Sequence, residues 1–549
     1  MSPPALRILP VGPCAVLVEL PGLRQVLSLQ AQLRAEPSPG QVDVVAAAKT
    51  VLVTATNSAC AQRIARRIPS MDLSLEPERT SRTVAIDTVY DGADLAEVAQ
   101  LTGMSEESVI SRHSSAHWTA AFGGFAPGFA YLAGPPELTV PRRESPRTLV
   151  PAGAVALAGG YSAVYPRESP GGWQLIGRTE TLMWDSSREN PALVTPGDEV
   201  RFRPVRPRLP VSRTQGSTSA PAPASESSGN DGGRESDNDG DNDGGGLLIV
   251  RAGLQSTFQD LGRPGFAALG VAESGALDRA AFRQANRLVG NPAGEAVIET
   301  LHGGLDLQAK SDQVLAVTGA HLSATIMDDN GGTRAAQLGA PFLLRAGQRL
   351  SLGSPERGLR SYTAVRGGFV AEPVMDSRST DALSGLGPAP LLAGQLLAVG
   401  TPAPASVVGA PEILADVPAA ADAAEIQFRV MRGPRDDWFS VDGFERLCAQ
   451  SWLVTPQSSR IGVRLDGEPL VRRITGELPS EGTVRGALQV PPSGCPVLFL
   501  ADHPVTGGYP VIGVVIPEDL DRAAQLPPGI RIRFHPVDVG VPTSAAVGS

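Results

Sequence analysis

Forked, permanently charged donors gather in one stretch of this sequence. Between residues 121 and 179 stand Arg142, Arg143, Arg147, Arg167 and Arg178, and guanidinium groups suit carboxylate or phosphate. The same stretch holds Gly124, Gly128, Gly159, Gly160, Gly171 and Gly172, which permit tight turns and close backbone approach to a ligand. Pro127, Pro141, Pro146, Pro151 and Pro170 exclude a long helix and stiffen the loops. Short apolar runs at 154–157 and 174–176 lie between these loops. The pattern predicts a β-barrel with an anion-binding mouth. The plainer alternative is a glycine-rich barrel whose arginines only solvate its rim.

The second half repeats this logic. Arg360, Arg366, Arg378 and Arg460 are flanked by Gly and Ser, and Arg263 lies in a Gly-rich loop beside Asp260. Such loops can bring backbone N–H groups and guanidinium forks onto an anion. Thr506, Gly507 and Tyr509 belong to a TGGYP turn that would wall a pocket. Asp260, Asp278, Glu299 and Asp502 are the carboxylates placed to act as a base, or to orient water or a metal. An Asp beside Gly is also an ordinary turn former, and Glu299 could instead pair with an arginine. His113 and His117 are four apart, but no Glu follows His113, so this is not an HExxH zinc site. No metal site is predicted. His113 remains a candidate catalytic or substrate-contacting group because it lies close to the FAPGF loop.

These residues need elements to hold them. Residues 5–20 predict a β-hairpin, 23–35 a helix, 42–54 a strand or strand pair and 58–68 an amphipathic helix. They make a small α/β layer over 1–80, with little functional content of its own. A strand at 83–89 follows, and Asp94-Leu-Ala-Glu97 reads as a capping box for a helix ended by Gly103. A second short helix is expected at 105–113. The barrel segment runs over 81–205. Residues 206–246 are Pro/Ser-rich and then Asp/Gly-rich, a composition that cannot bury a core. No frame of that segment makes a full EF-hand loop. It reads as a linker between halves that could exist as separate polypeptides. After it, Ser274 is the expected N-cap of a helix at 277–289, stopped by Gly290-Asn-Pro. The second half divides into lobes at 247–410 and 411–545.

Bulk composition excludes several functions. The chain has 549 residues and a net charge of −10, which disfavours broad nucleic-acid or anionic-membrane binding. Only Lys49 and Lys310 are lysines, against 45 arginines. There is no GxxxxGK[ST] phosphate loop, and neither lysine lies in the Met-Lys-Met context of a covalent biotin carrier. Cys14, Cys60, Cys448 and Cys495 form no CxxC pair and read as reduced thiols. No signal peptide or membrane-length apolar run is evident, so a cytoplasmic location is expected.

The order of residues adds a family. FAPGFAYLAG and then PRRESPRTLVPAGAVALAGGYSAVYPRESPGGWQLIGRT resemble the B component of 5-oxoprolinase, also called allophanate hydrolase subunit 1. LLIVRAGLQSTFQDLGRPGFAALGVAESGALDRAAFRQANRLVGNPAGEAVIETLHGG, GLRSYTAVRGGF, SRST, SSRIGVRLDG and the stretch ending in TGGYPVIGVV resemble the C component of 5-oxoprolinase. The pair also resembles the carboxyltransferase portion of urea carboxylase. His503-Pro504 stand where many relatives have Arg and Gln.

The resemblance implies a mainly β fold with some α+β, having one cyclophilin-like barrel in the first half and two in tandem in the second. It implies a fused B–C component of an ATP-dependent 5-oxoprolinase, with ATP and Mg²⁺ as co-substrate and counter-ion. The partner it implies is a separate 5-oxoprolinase A component. Substrate or anion contacts then fall to Phe125, Pro127, Gly128, Phe129 and Tyr131 of the first motif. Arg142, Arg143, Arg147, Ser169, Gly171, Gly172 and Arg178 extend that set in the first half. Arg263, Arg360, Arg366, Arg378, Thr506, Gly507 and Tyr509 extend it in the second. Asp260 and Asp278 are the proton- or metal-handling candidates. Two alternatives are a carboxyltransferase fed by biotin on another protein and a non-enzymatic histidine-kinase regulator. Self-association into a homo-oligomer is left open.

Overall fold

Alternation along its strands explains why the small N-terminal sheet is covered on both faces. In the computed structural model, which describes residues 6–74, 82–143, 145, 147–206, 246–419, 425–476 and 478–538, this sheet has four antiparallel strands. They are Arg7–Pro10, Ala15–Glu19, Thr50–Ala55 and Gln41–Ala46, in that spatial order. Side chains of a strand alternate between faces. Val16, Val18, Val51 and Val53 pack on the helices Leu23–Ala35 and Ser58–Arg67 through Val26, Leu29, Leu33 and Ile64. Ala15, Leu17, Val45 and Leu52 face the other way, onto Ala487, Phe499, Val505 and Val514 of the last barrel. The layer expected to have little functional content therefore carries a contact surface of the first half for the second.

The first barrel is a seven-stranded sheet ordered Gln174–Arg178, Ala154–Ala158, Tyr161–Val164, Ala130–Ala133, Trp118–Gly123, Glu199–Pro204 and Thr83–Thr88. Its two ends meet where Val89 and Arg178 exchange backbone hydrogen bonds of 2.9 and 2.8 Å. The helices Leu95–Thr102 and Glu106–Ser115 cover it, the first ended by Gly103 in the left-handed region (φ 70°). The expected capping box is not formed: Asp94 is the N-cap, but its side chain makes no cap hydrogen bond. Its carboxylate is drawn instead to Arg143, Arg147 and the Leu175 N–H.

The second half begins with a nine-stranded sheet dominated by the long strands Gln313–Met327 and Arg349–Val365. The helix Arg279–Val289 lies against it, burying Phe282, Ala285, Leu288 and Val289. Its N-cap is Asp278, whose carboxylate accepts from Ala281 N, so the expected cap at Ser274 is corrected. Ser274 is a buried residue in the left-handed region whose hydroxyl donates to Asp502 at 2.8 Å. A closed barrel of seven strands completes the chain: Ile426–Arg432, Val511–Val515, Ala487–Gln489, Val497–Phe499, Gly462–Asp466, Trp452–Val454 and Arg531–Pro536. The fold is mainly β with barrels. The stretch read as a linker lies, but for its ends, outside the described residues.

Candidate functional site at the junction of the halves

The glycines of the FGGFAPGF loop are used for contact with the second half. Gly124 presses on Thr506: a Cβ there would lie 2.2 Å from Thr506 Oγ1. Phe125 adopts a left-handed backbone (φ 62°) and its N–H donates to that same Oγ1 at 3.1 Å. Gly128 N–H donates to Leu269 O at 3.3 Å, and Gly270 abuts the Ala126 carbonyl too closely for any side chain. The signature loops around 125, 269 and 506 thus meet in one seam.

Aromatic rings back this seam. Phe125, Phe129, Tyr131, Tyr165 and Trp173 meet edge-on at centroid separations of 5.1 to 6.1 Å, and Pro127 is buried beside them. Burial pushes the Tyr165 phenol up to about 12. Gly171 is pressed on Tyr165 Oη, the Gly172 carbonyl accepts from Arg143 N, and Gly507 is pressed on Gln489. Arg142 extends toward Gly508, and Tyr509 is partly exposed beneath Arg472. Ser169 Oγ and Arg167 Nε are buried and have no hydrogen-bond partner among the described residues.

Three of the five first-half arginines are committed to carboxylates of their own barrel. Arg143 and Arg147 both reach Asp94 Oδ1 at 2.7 Å, and Arg147 also reaches Oδ2 at 2.8 Å. Burial alone would raise the Asp94 carboxyl, but Arg147, the Leu175 N–H and Arg143 more than offset it and hold it low. Arg178 pairs with Asp91 at 2.9 Å.

His113 is wholly buried in the first barrel between Trp118 and Phe202. Its Nδ1 lies 2.8 Å from Tyr90 Oη and its Nε2 2.8 Å from Ser162 Oγ, and burial pushes its pKa down to about 3. This is a neutral core histidine with both nitrogens engaged. His117 is largely exposed and pairs with Glu199. No cluster of three or more His, Cys, Asp or Glu that could hold a metal occurs among the described residues.

The second-half candidates form a buried polar network rather than an open cleft. Asp260 accepts from Ser377 Oγ at 2.7 Å, Arg378 N at 2.6 Å, Gly262 N at 2.8 Å and Ser379 Oγ. Four protein donors leave its oxygens little capacity for substrate or metal. Arg263 donates to the Val374 and Ser379 carbonyls, Arg366 to those of Val289 and Ser406, and Arg378 to that of Ala371. Arg360 donates to the Ala524 carbonyl. Asp278 accepts from Ala281 N and Gln525 Nε2, and burial raises its pKa to about 6. At the centre, Arg460 binds Asp502 through Nε at 2.9 Å and Nη2 at 3.0 Å, Gly275 O at 2.7 Å, Gln259 Oε1 at 3.2 Å, and Glu299. Arg460 and Asp502 come with the closed barrel, Glu299 and Gln259 with the nine-stranded sheet. The network locks the two lobes.

Next to the seam lies a cleft of about 650 Å³ between the small sheet, the 264–279 segment and the closed barrel. Asp43, Glu273, Glu518 and Asp521 line it together with Arg279, Arg283, Arg485 and His503. Sequence reasoning points to none of these as a site residue. Arg485 lies within a signature match, and His503 stands out in the sequence only as a departure from relatives. Asp43 is used to seat the cleft wall, accepting from Gly265 N at 2.8 Å and Ala267 N at 3.1 Å.

Comparison with known proteins agrees with this two-part construction. The family model for carboxyltransferase domain subdomains C and D matches residues 6–194, and that for subdomains A and B matches 269–536. The chain is 38% identical over 298 residues to the 5-oxoprolinase C subunit of Escherichia coli K12, spanning 52% of this chain and 90% of that protein. It is 34% identical over 208 residues to the 5-oxoprolinase B subunit of Haemophilus influenzae, spanning 36% of this chain and 97% of that protein. The solved structure of TTHA0988 superposes with a TM-score of 0.78 at 32% identity, covering 95% of this chain and 99% of that one. The chain belongs to the 5-oxoprolinase family of B and C components, with a B-type half and a C-type half in one polypeptide.

Proposed function

We propose that this chain is the fused B–C component of an ATP-dependent 5-oxoprolinase that works with a separate A component. The observation that carries the proposal is the seam itself. Loops from both halves interlock around Phe125 and Thr506, so the B-type and C-type units form one composite surface beside a cleft. A lactam carbonyl is a weak electrophile. ATP supplies the chemistry that turns its oxygen into part of a leaving group, so that water can open the ring to L-glutamate. Mg²⁺ would enter as the counter-ion of the nucleotide.

The test is reconstitution. The purified chain is mixed with a 5-oxoprolinase A component, Mg-ATP and 5-oxo-L-proline, and glutamate is followed. Glutamate is expected only when both proteins, ATP and substrate are present. Absence of turnover in the complete mixture refutes the proposal, and carboxyl transfer from carboxybiotin would then favour a carboxyltransferase role instead.

A further inference from the structure

The cleft beside the seam contains a guanidinium without a bonded counter-ion. Arg485 donates through Nη2 to the Leu277 carbonyl. Among the described residues its buried Nε has no partner, and no carboxylate forms an ion pair with it. A part-buried cation in this state has lost hydration without a bonded opposite charge; Glu273 and Asp521 act on it from beyond ion-pair distance. Arg279 stands near it, paired to Glu273 at 2.6 Å but with its own Nε likewise unpartnered among the described residues. Both arginines line the cleft.

His503 supplies the complementary group. Its ring stacks on Phe499 at 5.5 Å, nearly parallel. The Thr483 hydroxyl gives its one proton to the Pro504 carbonyl. His503 Nδ1 lies 2.9 Å from that same carbonyl and 3.2 Å from Thr483 Oγ1. With only acceptors around it, Nδ1 carries the ring proton, and Nε2 is left as a lone-pair acceptor. Burial keeps the imidazole neutral by lowering its pKa. No protein group bonds Nε2 among the described residues, and His503 lines the cleft.

We propose that this cleft binds a cyclic amide acid, whose carboxylate is received by Arg485 and whose ring N–H donates to His503 Nε2. The choice of a lactam rests on the 5-oxoprolinase reading; the pairing of an oxyanion with an N–H donor rests on the side chains. The apolar walls from Ala15, Leu52 and Val514 suit the hydrocarbon part of the ring. Val505 carries the cleft to Thr506, which touches Phe125, so a ligand here lies next to the signature loops of both halves.

The test measures binding to the full-length wild-type chain by calorimetry and ligand-observed NMR, with and without a non-hydrolysable ATP analogue. The probes are 5-oxoproline and its lactone analogue, which has ring oxygen in place of N–H. The lactam is expected to bind roughly 10-fold more tightly than the lactone, the cost of one unmade hydrogen bond in a buried site. Arg485→Gln is expected to lose binding of both probes and Arg485→Lys to keep part of it. His503→Phe retains the stack on Phe499 and should erase the preference for lactam over lactone, which a merely structural role would not do. Equal binding of lactam and lactone to the wild type overturns the assignment. So does wild-type affinity in an Arg485→Gln variant, or a loss confined to the ATP analogue. In the reconstituted assay, turnover with an unchanged KM in Arg485→Gln defeats the cleft assignment and leaves the function standing. Selective binding without turnover does the reverse.

Discussion

Removing the Arg460 side-chain charge is the perturbation that probes the architecture most sharply. Arg460, Asp502 and Glu299 are 3%, 0% and 4% exposed, and the guanidinium serves both carboxylates at once. Arg460→Met keeps much of the side-chain volume but removes the bonded cation of buried Asp502 and leaves Glu299 only the more distant Arg360, at 3.6 Å. Breaking a buried pair in this way costs about 3–5 kcal/mol. The size of the deficit should depend on pH. A carboxyl that is buried without a compensating cation favours its neutral form over its ionised one. Such groups stabilise the folded state at low pH and lose that contribution as pH rises, with a slope of at most about 1.4 kcal/mol per pH unit for each group. Denaturant unfolding followed by tryptophan fluorescence at pH 8 and pH 5 measures the difference. The deficit of Arg460→Met relative to wild type should shrink at pH 5 by about 1–3 kcal/mol. A deficit that is the same at both pH values would refute the electrostatic account and assign the loss to packing.

Three further outcomes follow from the same geometry. Gly124→Ala should destabilise the seam by about 1–3 kcal/mol, and Thr506→Ala in the same chain should recover part of it; a double-mutant cycle on unfolding free energies reads the coupling, and additive effects would count against direct contact. Asp278, raised by burial from 3.8 to about 6, contributes stability that is complete below pH 3.8 and lost as pH rises through 6. That contribution amounts to up to about 3 kcal/mol, and it should vanish from the pH–stability profile of Asp278→Asn. Arg435 binds Glu481 through Nε at 2.8 Å and also Glu19 of the small sheet. When residues 1–206 and 246–549 are produced as separate chains, Arg435→Gln should weaken their association at least 10-fold, as measured by calorimetry; unchanged affinity would show that this junction contributes little.

Much of the fold can be read from local pattern. The helix at Leu23–Ala35 follows from the spacing of Leu23, Val26, Leu27, Ala31 and Leu33, of which Val26 and Leu33 are buried, and Gly103 ends its helix because it takes the left-handed conformation. What local pattern does not carry is the partner. The strand Ala15–Glu19 is apolar on both faces, but nothing nearby reveals that one face is covered by Phe499 and Val514. The arginines are visible as a class, while their commitments are not: Arg147 is spent on Asp94, 53 residues earlier, and Arg460 on Glu299, 161 residues earlier. Ser274 has the composition of a cap, yet its hydroxyl belongs to Asp502, and the true cap is Asp278. The cleft escapes sequence reasoning for the same reason, since Asp43, Arg279 and Arg485 come from three segments that only the tertiary fold joins.

The measurement closest to the central claim is the stoichiometry of ADP to glutamate in the reconstituted mixture of this chain, the A component, Mg-ATP and 5-oxoproline. Coupled activation and ring opening predict one ADP for each glutamate, with neither product formed when this chain is omitted. Glutamate formed without ADP, or by the A component alone at the same rate, would contradict the assignment of ATP-dependent activation to this chain.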